Sequence, residues 1–187
     1  FNIWVTEMIY ISAVGMINAL GSDNNEIAAN LMRGVAPGMR PRSGWLRGHP
    51  HAVLAGVDGE LPVIPDEFSA HRSRNNQLLL AALKHIQPQV DKAITQYGRD
   101  RIAVILGTST SGLDEGDTHV NLTLNGQESA AWQYPQQELG DPSRFLSRWL
   151  ALAGPAFTLS TACSSSARAI ISGRRLLEAG LADVAIV

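Results

Sequence analysis

Apolar and polar positions change period along the chain, and the changes mark out strands and helices. Residues 8–15, "MIYISAVG", form an apolar run that reads as a buried first strand followed by a loop. "SDNNEIAANLMRG" (22–34) reads as a helix, with Ser22 or Asp23 able to cap its exposed amides and Gly34 just past its end. "VAPGMRPRSGWLRGHP" (35–50) is too rich in Pro and Gly to be one regular element, and "HAVLAGV" (51–57) reads as a short strand. The longest helical pattern runs from about Ser73 to Tyr97, with Pro88 expected to kink or split it.

The second half of the chain has a clearer rhythm. "RIAVILG" (101–107) is continuously apolar, as expected for a strand covered on both faces. "DPSRFLSRWLALAG" predicts a helix capped by Asp141, with Pro142 in its first turn and its end at Gly154. "PAFTLS" (155–160) is then a strand, residues 164–179 a helix, and "ADVAIV" (182–187) a last strand. Strands alternating with helices predict an α/β sheet covered on both faces. There is no internal repeat and no low-complexity tract.

Composition narrows the function classes. The 187 residues are 45% hydrophobic and 17% charged, a globular balance, and are enough for one domain with a real core. A formal charge of −2 offers no global basic footprint for nucleic acid. The lone cysteine cannot close an internal disulfide, which favours a reducing, cytoplasmic setting. Residues 8–21 loosely resemble the core of a secretory signal, but Glu7 stands where a basic residue is wanted. No apolar run reaches the roughly 18 residues that a membrane span requires. Residues 1–7 read as an upstream extension before Met8, a natural start, with one domain over 8–187.

The candidate chemistry centres on "LSTACSSSARA" (159–169), which holds that cysteine, Cys163. It falls where a buried strand turns into a helix, and the N–H groups and dipole of a helix start favour negative charge there. Ser164, Ser165 and Ser166 keep the turn small and can donate or cap locally. Ala167, Ala169, Ile170, Gly173 and Leu176 give the following helix small or apolar residues on more than one face, the pattern of a buried helix, with Gly173 permitting close approach. An inert core cysteine is the competing reading.

"STACSSSARAIISGRRLLEAGLADVAIV" resembles the nucleophile segment of the beta-ketoacyl synthases, condensing enzymes of the thiolase-like superfamily. "IYISAVGMINALGSD" resembles their first strand and loop, and "VILGTSTSG" their middle strand and the loop after it. "RNNQLLLAAL" and "GTSTSGLDEG" are similar to segments of bacterial synthases from discrete systems such as aryl-polyene assembly. The resemblance implies the N-terminal half of a thiolase-like fold, a five-stranded mixed sheet flanked by helices. It also implies acyl transfer from acyl carrier protein to Cys163, then decarboxylative Claisen condensation with a malonyl carrier thioester, in fatty-acid or polyketide synthesis. The Cys163 backbone N–H would supply one oxyanion donor. No cofactor or metal is implied. Family members pair as dimers, so a homodimer or a heterodimer with a related subunit is expected, with "PAFTLS" at the two-fold interface.

Two departures qualify the match. Ser160 stands where many members carry Asp. The family's two decarboxylation histidines and a lysine lie in a second half after the cysteine, whereas His49, His51, His71, His85 and His119 all precede Cys163. The expectation is therefore a chain lacking its C-terminal half and unable alone to complete the condensation. A non-catalytic partner similar to a chain-length factor is the alternative, although such subunits usually lack the cysteine. A cysteine hydrolase would need a downstream histidine base.

The remaining signals take blander readings. The five histidines read as solvated or structurally satisfied, and no His/Cys cluster has metal-ligand spacing. "GTSTSGLDEG" lacks the Gly-Lys-Ser/Thr ending of a phosphate loop. In the family, Thr108 to Gly112 lie near the reaction chamber. Arg33, Arg40, Arg42 and Arg47 form a basic cluster, a docking aid for an acidic carrier or a solvated loop. Trp132, Tyr134 and Trp149 read as packing or subunit-contact residues.

Overall fold

The computed structural model describes residues 8–46, 48–49, 51–57, 59–128 and 131–187. Residues 1–7, read above as an extension, and Arg47 of the basic cluster lie outside the described residues. The chain divides into two units, one of Ala13–Val63 with Gln77–Pro88, the other of Ile64–Asn76 and Gln89–Val187 with the segment up to Ser12.

In the first unit, α1 (Asn24–Arg33) begins and ends as its sequence dictates. The Asp23 carboxylate accepts from the N–H groups of Asn25 and Glu26 at 2.9 Å each, and Gly34 closes the helix in the left-handed region at φ 68°. Its buried Asn30 donates to the Leu20 carbonyl, tying the helix to the turn before it. The Pro- and Gly-rich stretch is not one regular element, but it contains a short strand that the sequence pattern does not show. β1 (Met39–Arg42) pairs antiparallel with β2 (Ala52–Ala55), the strand expected in "HAVLAGV". Pro41 masks β1 in the sequence, but in a two-stranded ribbon its missing N–H removes little.

The apolar run at 8–15 is not a strand. Residues 8–17 have no regular secondary structure, and Met8, Tyr10 and Ile11 are exposed. A strand exists only through a partner, and among the described residues this segment joins no ladder. The long helical pattern is split as expected, into α2 (Arg74–Lys84) and α3 (Gln87–Tyr97), with Pro88 in the first turn of α3 where a missing N–H is harmless.

The second unit is built on β3 (Ile102–Gly107), the continuous apolar run. Ile102, Ala103, Val104 and Ile105 are buried, and β3 is the central strand of a parallel sheet ordered β4-β3-β5. β4 (Ala156–Leu159) and β5 (Val184–Ile186) flank it, and α6 (Ser165–Glu178) links them. Ala103 and Ile105 pack with Ala169 and Ala182, closed by Leu176 and Leu177, so α6 covers one face. α5 (Asp141–Trp149) packs on β3 and β4 too, through an amphipathic helix whose Phe145 and Leu146 are fully buried. The α/β expectation is what the structure shows. Its five strands are divided between a two-stranded and a three-stranded sheet rather than joined in one.

Several local expectations shift. α5 stops at Trp149 and not at Gly154, because the chain turns through Ala151 at φ 51°. Gly140 occupies the cap position, and Asp141 is the first helical residue. "LDEGDTH" (113–119), for which the sequence pattern predicts no helix, is the first part of α4 (Leu113–Leu124). Asp114 and Glu115 complement the positive end of that helix, and Glu115 also accepts from the Arg74 N–H at 2.6 Å. α6 is not buried all round. Ala169 and Gly173 are buried, but Ile170 and Ile171 are about half exposed, since the sheet covers one face only. At the far end of the sheet, Arg101 Nε donates to Asp183 Oδ2 at 2.7 Å, which holds the Asp183 carboxyl below its ordinary value and raises Arg101. Among the described residues, no helix is long and apolar enough to cross a membrane.

Candidate active site

Parallel strands deliver their loops to one edge, and ligand sites in open α/β sheets form outside those carboxyl ends. β3 and β4 are parallel neighbours with Gly107 opposite Leu159, so the loop leaving β3 and the turn leaving β4 start side by side. The Thr108 N–H donates to the Leu159 carbonyl at 3.1 Å, extending the ladder one step into both loops. Cys163 sits in the turn after β4, as its sequence position implies. It belongs not to the first turn of α6 but to a single 3-10 turn, Ala162–Ser164, that runs into the helix. The thiol is free and exposed, so the inert-core reading does not hold.

Serine hydroxyls hold this turn. Ser165 is buried; its Oγ accepts from the Thr161 N–H at 2.9 Å and donates to the Ala162 carbonyl at 2.8 Å. Ser164 Oγ donates to the Thr161 carbonyl at 2.8 Å and lies 3.1 Å from the Thr161 hydroxyl. From the other loop, Ser109 Oγ donates to the same Ala162 carbonyl at 3.2 Å. These bonds hold Ala162 at φ 52°, a left-handed backbone that costs a residue with a Cβ about 1–2 kcal/mol.

The turn also demands a glycine on the neighbouring strand. A Cβ on Gly107 would lie 2.4 Å from the Ser165 carbonyl carbon and 2.5 Å from its oxygen and from the Ser166 nitrogen. All three are backbone atoms, so the start of α6 would have to move. Gly107→Ala is expected to lower stability by about 1–3 kcal/mol, read as a lower urea midpoint. A midpoint unchanged from the parent would contradict the close packing of β3 on this turn.

Of the loop residues expected near the chamber, Ser109 reaches the cysteine turn and Ser111 does not. Ser111 is buried and donates to the Gln136 carbonyl at 2.9 Å, while Gln136 Nε2 donates to the Arg72 carbonyl at 2.9 Å. Thr108 Oγ1 donates to the Thr110 carbonyl at 2.7 Å, closing the loop on itself. The loop is thus fixed from behind by Gln136, a buried residue that nothing in the local sequence singles out.

The histidines are placed as structural or exposed groups. His71 Nδ1 lies 2.5 Å from Asp141 Oδ1, and Arg148 Nη1 lies 3.1 Å from His71 Nε2. Arginine only donates, so Nε2 accepts and Nδ1–H points at the carboxylate. His119 stacks on Trp132, with ring centroids 4.2 Å apart. His49 and His51 are exposed, and His85 sits in the break between α2 and α3. Trp149 packs against Phe68 and Phe145, a packing role as expected, whereas Tyr134 is exposed. Arg33 donates to Asn30, and Arg40 Nε donates to the Pro37 carbonyl at 2.8 Å. Among the described residues no three His, Cys, Asp or Glu side chains gather as metal ligands.

The profile of the beta-ketoacyl synthase N-terminal domain matches residues 6–187. Among solved structures, the chain is similar to the ketosynthase ApeO in complex with its chain length factor ApeC from Xenorhabdus doucetiae. The identity is 66% and the TM-score 0.91, over 95% of this chain and 45% of that one. It also shares its fold with the ishigamide ketosynthase/chain length factor, at 20% identity and TM-score 0.75, over 92% of this chain and 44% of that one. The chain therefore spans less than half the length of either. No curated protein matches.

Proposed function

Since this chain belongs to the beta-ketoacyl synthases, whose N-terminal domain it matches, we propose that it is the nucleophile-bearing half of a condensing enzyme, with Cys163 as the nucleophile. The observation that carries this reading is the exposed Cys163 on a strand-to-helix turn that serines from the β3 loop and the start of α6 hold at the carboxyl ends of β3 and β4. Sulfur suits the task because it attacks well and leaves well. Cys163 Sγ attacks the carbonyl carbon of an acyl carrier thioester, the Cys163 N–H steadies the developing oxyanion, and the carrier thiol departs with the proton. A malonyl carrier thioester then loses carbon dioxide. The carbanion left at C2 bonds to the acyl carbonyl, and the cysteine sulfur is expelled, leaving a ketoacyl chain on the carrier.

The decarboxylation step needs groups that this half does not supply. His71 is engaged with Asp141 and Arg148, and His119 stacks on Trp132. We place the family's two histidines and lysine in a second half, for which the exposed Ile170 and Ile171 of α6 offer an apolar surface. β4 is an edge strand of its sheet with Ala156 and Phe157 exposed, which suits pairing with a related subunit. The ApeO ketosynthase is found with a chain length factor, and we propose a heterodimer of that kind here. An acidic acyl carrier protein as donor, polyketide or aryl-polyene chains as product, and a cytoplasmic setting complete the proposal. A non-catalytic, chain-length-factor-like role is disfavoured by Cys163 itself.

Incubation of the 187-residue chain with octanoyl-coenzyme A and a malonyl carrier protein tests both parts. The expected result is a mass increase of one octanoyl group with no ketoacyl product. Absence of the adduct would overturn the nucleophile assignment. Ketoacyl turnover would overturn the assignment of decarboxylation to a second half.

A further inference from the structure

We propose that Ser109 and Ser165 are positioning residues that aim the Cys163 N–H at the reacting carbonyl by clamping the carbonyl of Ala162. The inference rests on acylation at Cys163, as proposed above. A peptide unit is planar, and in its trans form the C=O and the following N–H point in opposite directions. The described chain has no cis peptide, so whatever fixes the Ala162 carbonyl also fixes the Cys163 N–H, pointing the other way.

That carbonyl is heavily engaged. Ser165 Oγ donates to it at 2.8 Å, Ser109 Oγ at 3.2 Å, and the Ser165 backbone N–H joins them as the helix begins. One donor reaches it from the β3 loop and two from the start of α6, so the peptide is held from two independent elements. Such holding is needed, because Ala162 at φ 52° would otherwise relax to an ordinary backbone and swing the N–H away. Hydrogen bonds to a carbonyl also polarise its peptide, making the attached N–H a better donor to an oxyanion. The Ser165 hydroxyl additionally takes the Thr161 N–H at 2.9 Å, bracing the turn on the far side of Ala162. Ser109 is the exposed member and the one from a different loop, so its removal probes the clamp while the Ser165 contacts remain.

The test compares two reactions of the same sulfur. Acylation by acetyl-coenzyme A passes through an oxyanion, whereas alkylation by iodoacetamide expels iodide directly and forms none. Ser109→Ala is expected to slow acylation at saturating donor about three- to tenfold, the worth of one hydrogen bond, with half-saturation and alkylation unchanged. Ser109→Thr, which keeps the hydroxyl, is expected to restore the acylation rate. Full-rate acylation of Ser109→Ala, or equal slowing of acylation and alkylation, would overturn the clamp while leaving Cys163 as nucleophile. A parent chain that alkylates at Cys163 but never acylates would overturn both.

Discussion

Cys163→Ala is expected to abolish acyl uptake, lowering the rate by at least about a thousandfold to the level of non-specific reaction. Several hydroxyls stand near the missing sulfur, those of Thr161, Ser164 and Ser165 among them. None replaces it, because Ser164 and Ser165 hydroxyls are already committed to the backbone of the turn, and Thr161 to Ser164. A hydroxyl is also a weaker nucleophile and a poorer leaving group than a thiol, and no described contact gives one of these hydroxyls a base. The readout is intact mass after incubation with an acyl thioester, with far-UV circular dichroism confirming an unchanged fold. Substantial acyl uptake by the alanine variant would move the nucleophile elsewhere.

The second large effect is on stability. Asp141→Ala is expected to cost about 3–5 kcal/mol, because it breaks a buried polar cluster from its centre. Asp141 is fully buried, with one oxygen 2.5 Å from His71 Nδ1 and the other 2.7 Å from Asn76 Nδ2. Asn76, also buried, donates further to the His71 carbonyl at 2.7 Å, and Arg148 closes the far side of the imidazole. Removing the carboxylate strands two buried donors and leaves the Arg148 charge without its nearby counterweight. The neighbouring Ser143 hydroxyl lies 2.8 Å from that of Thr158 on β4, so the disturbed helix start is tied to the strand that carries the cysteine turn. Urea denaturation with an unchanged slope reads the loss. A change below about 1 kcal/mol would show that the buried cluster does not hold the fold as described.

What the sequence made legible was local and periodic. β3 is apolar at every position because both faces are covered, α1 carries its own cap and stop, and Pro88 divides a helical pattern where its ring permits. Cys163 was placed correctly at a strand-to-helix junction for the same reason, since an apolar run ends and a helical pattern begins within five residues. The failures were of two kinds. Residues 8–15 have the composition of a strand, yet pairing is not a property of composition. β1 and α4 were hidden by Pro41 and by the glycines and carboxylates around Gly116, which usually mark loops but here fit a two-stranded ribbon and a helix start. The elements that position the site were the least legible. Ser109 meets Ala162 across 53 positions, and His71 meets Asp141 across 70. No local pattern encodes either pair, because each depends on how β3, β4 and α5 are brought together.

The most direct test of the account is the location of the acyl group. After reaction with octanoyl-coenzyme A and trypsin digestion, fragmentation of the peptide spanning residues 149–168 is predicted to place one octanoyl thioester on Cys163, removable by hydroxylamine. An octanoyl group found only on a serine, threonine or lysine, or an unmodified Cys163 in a chain whose thiol still alkylates, would contradict it.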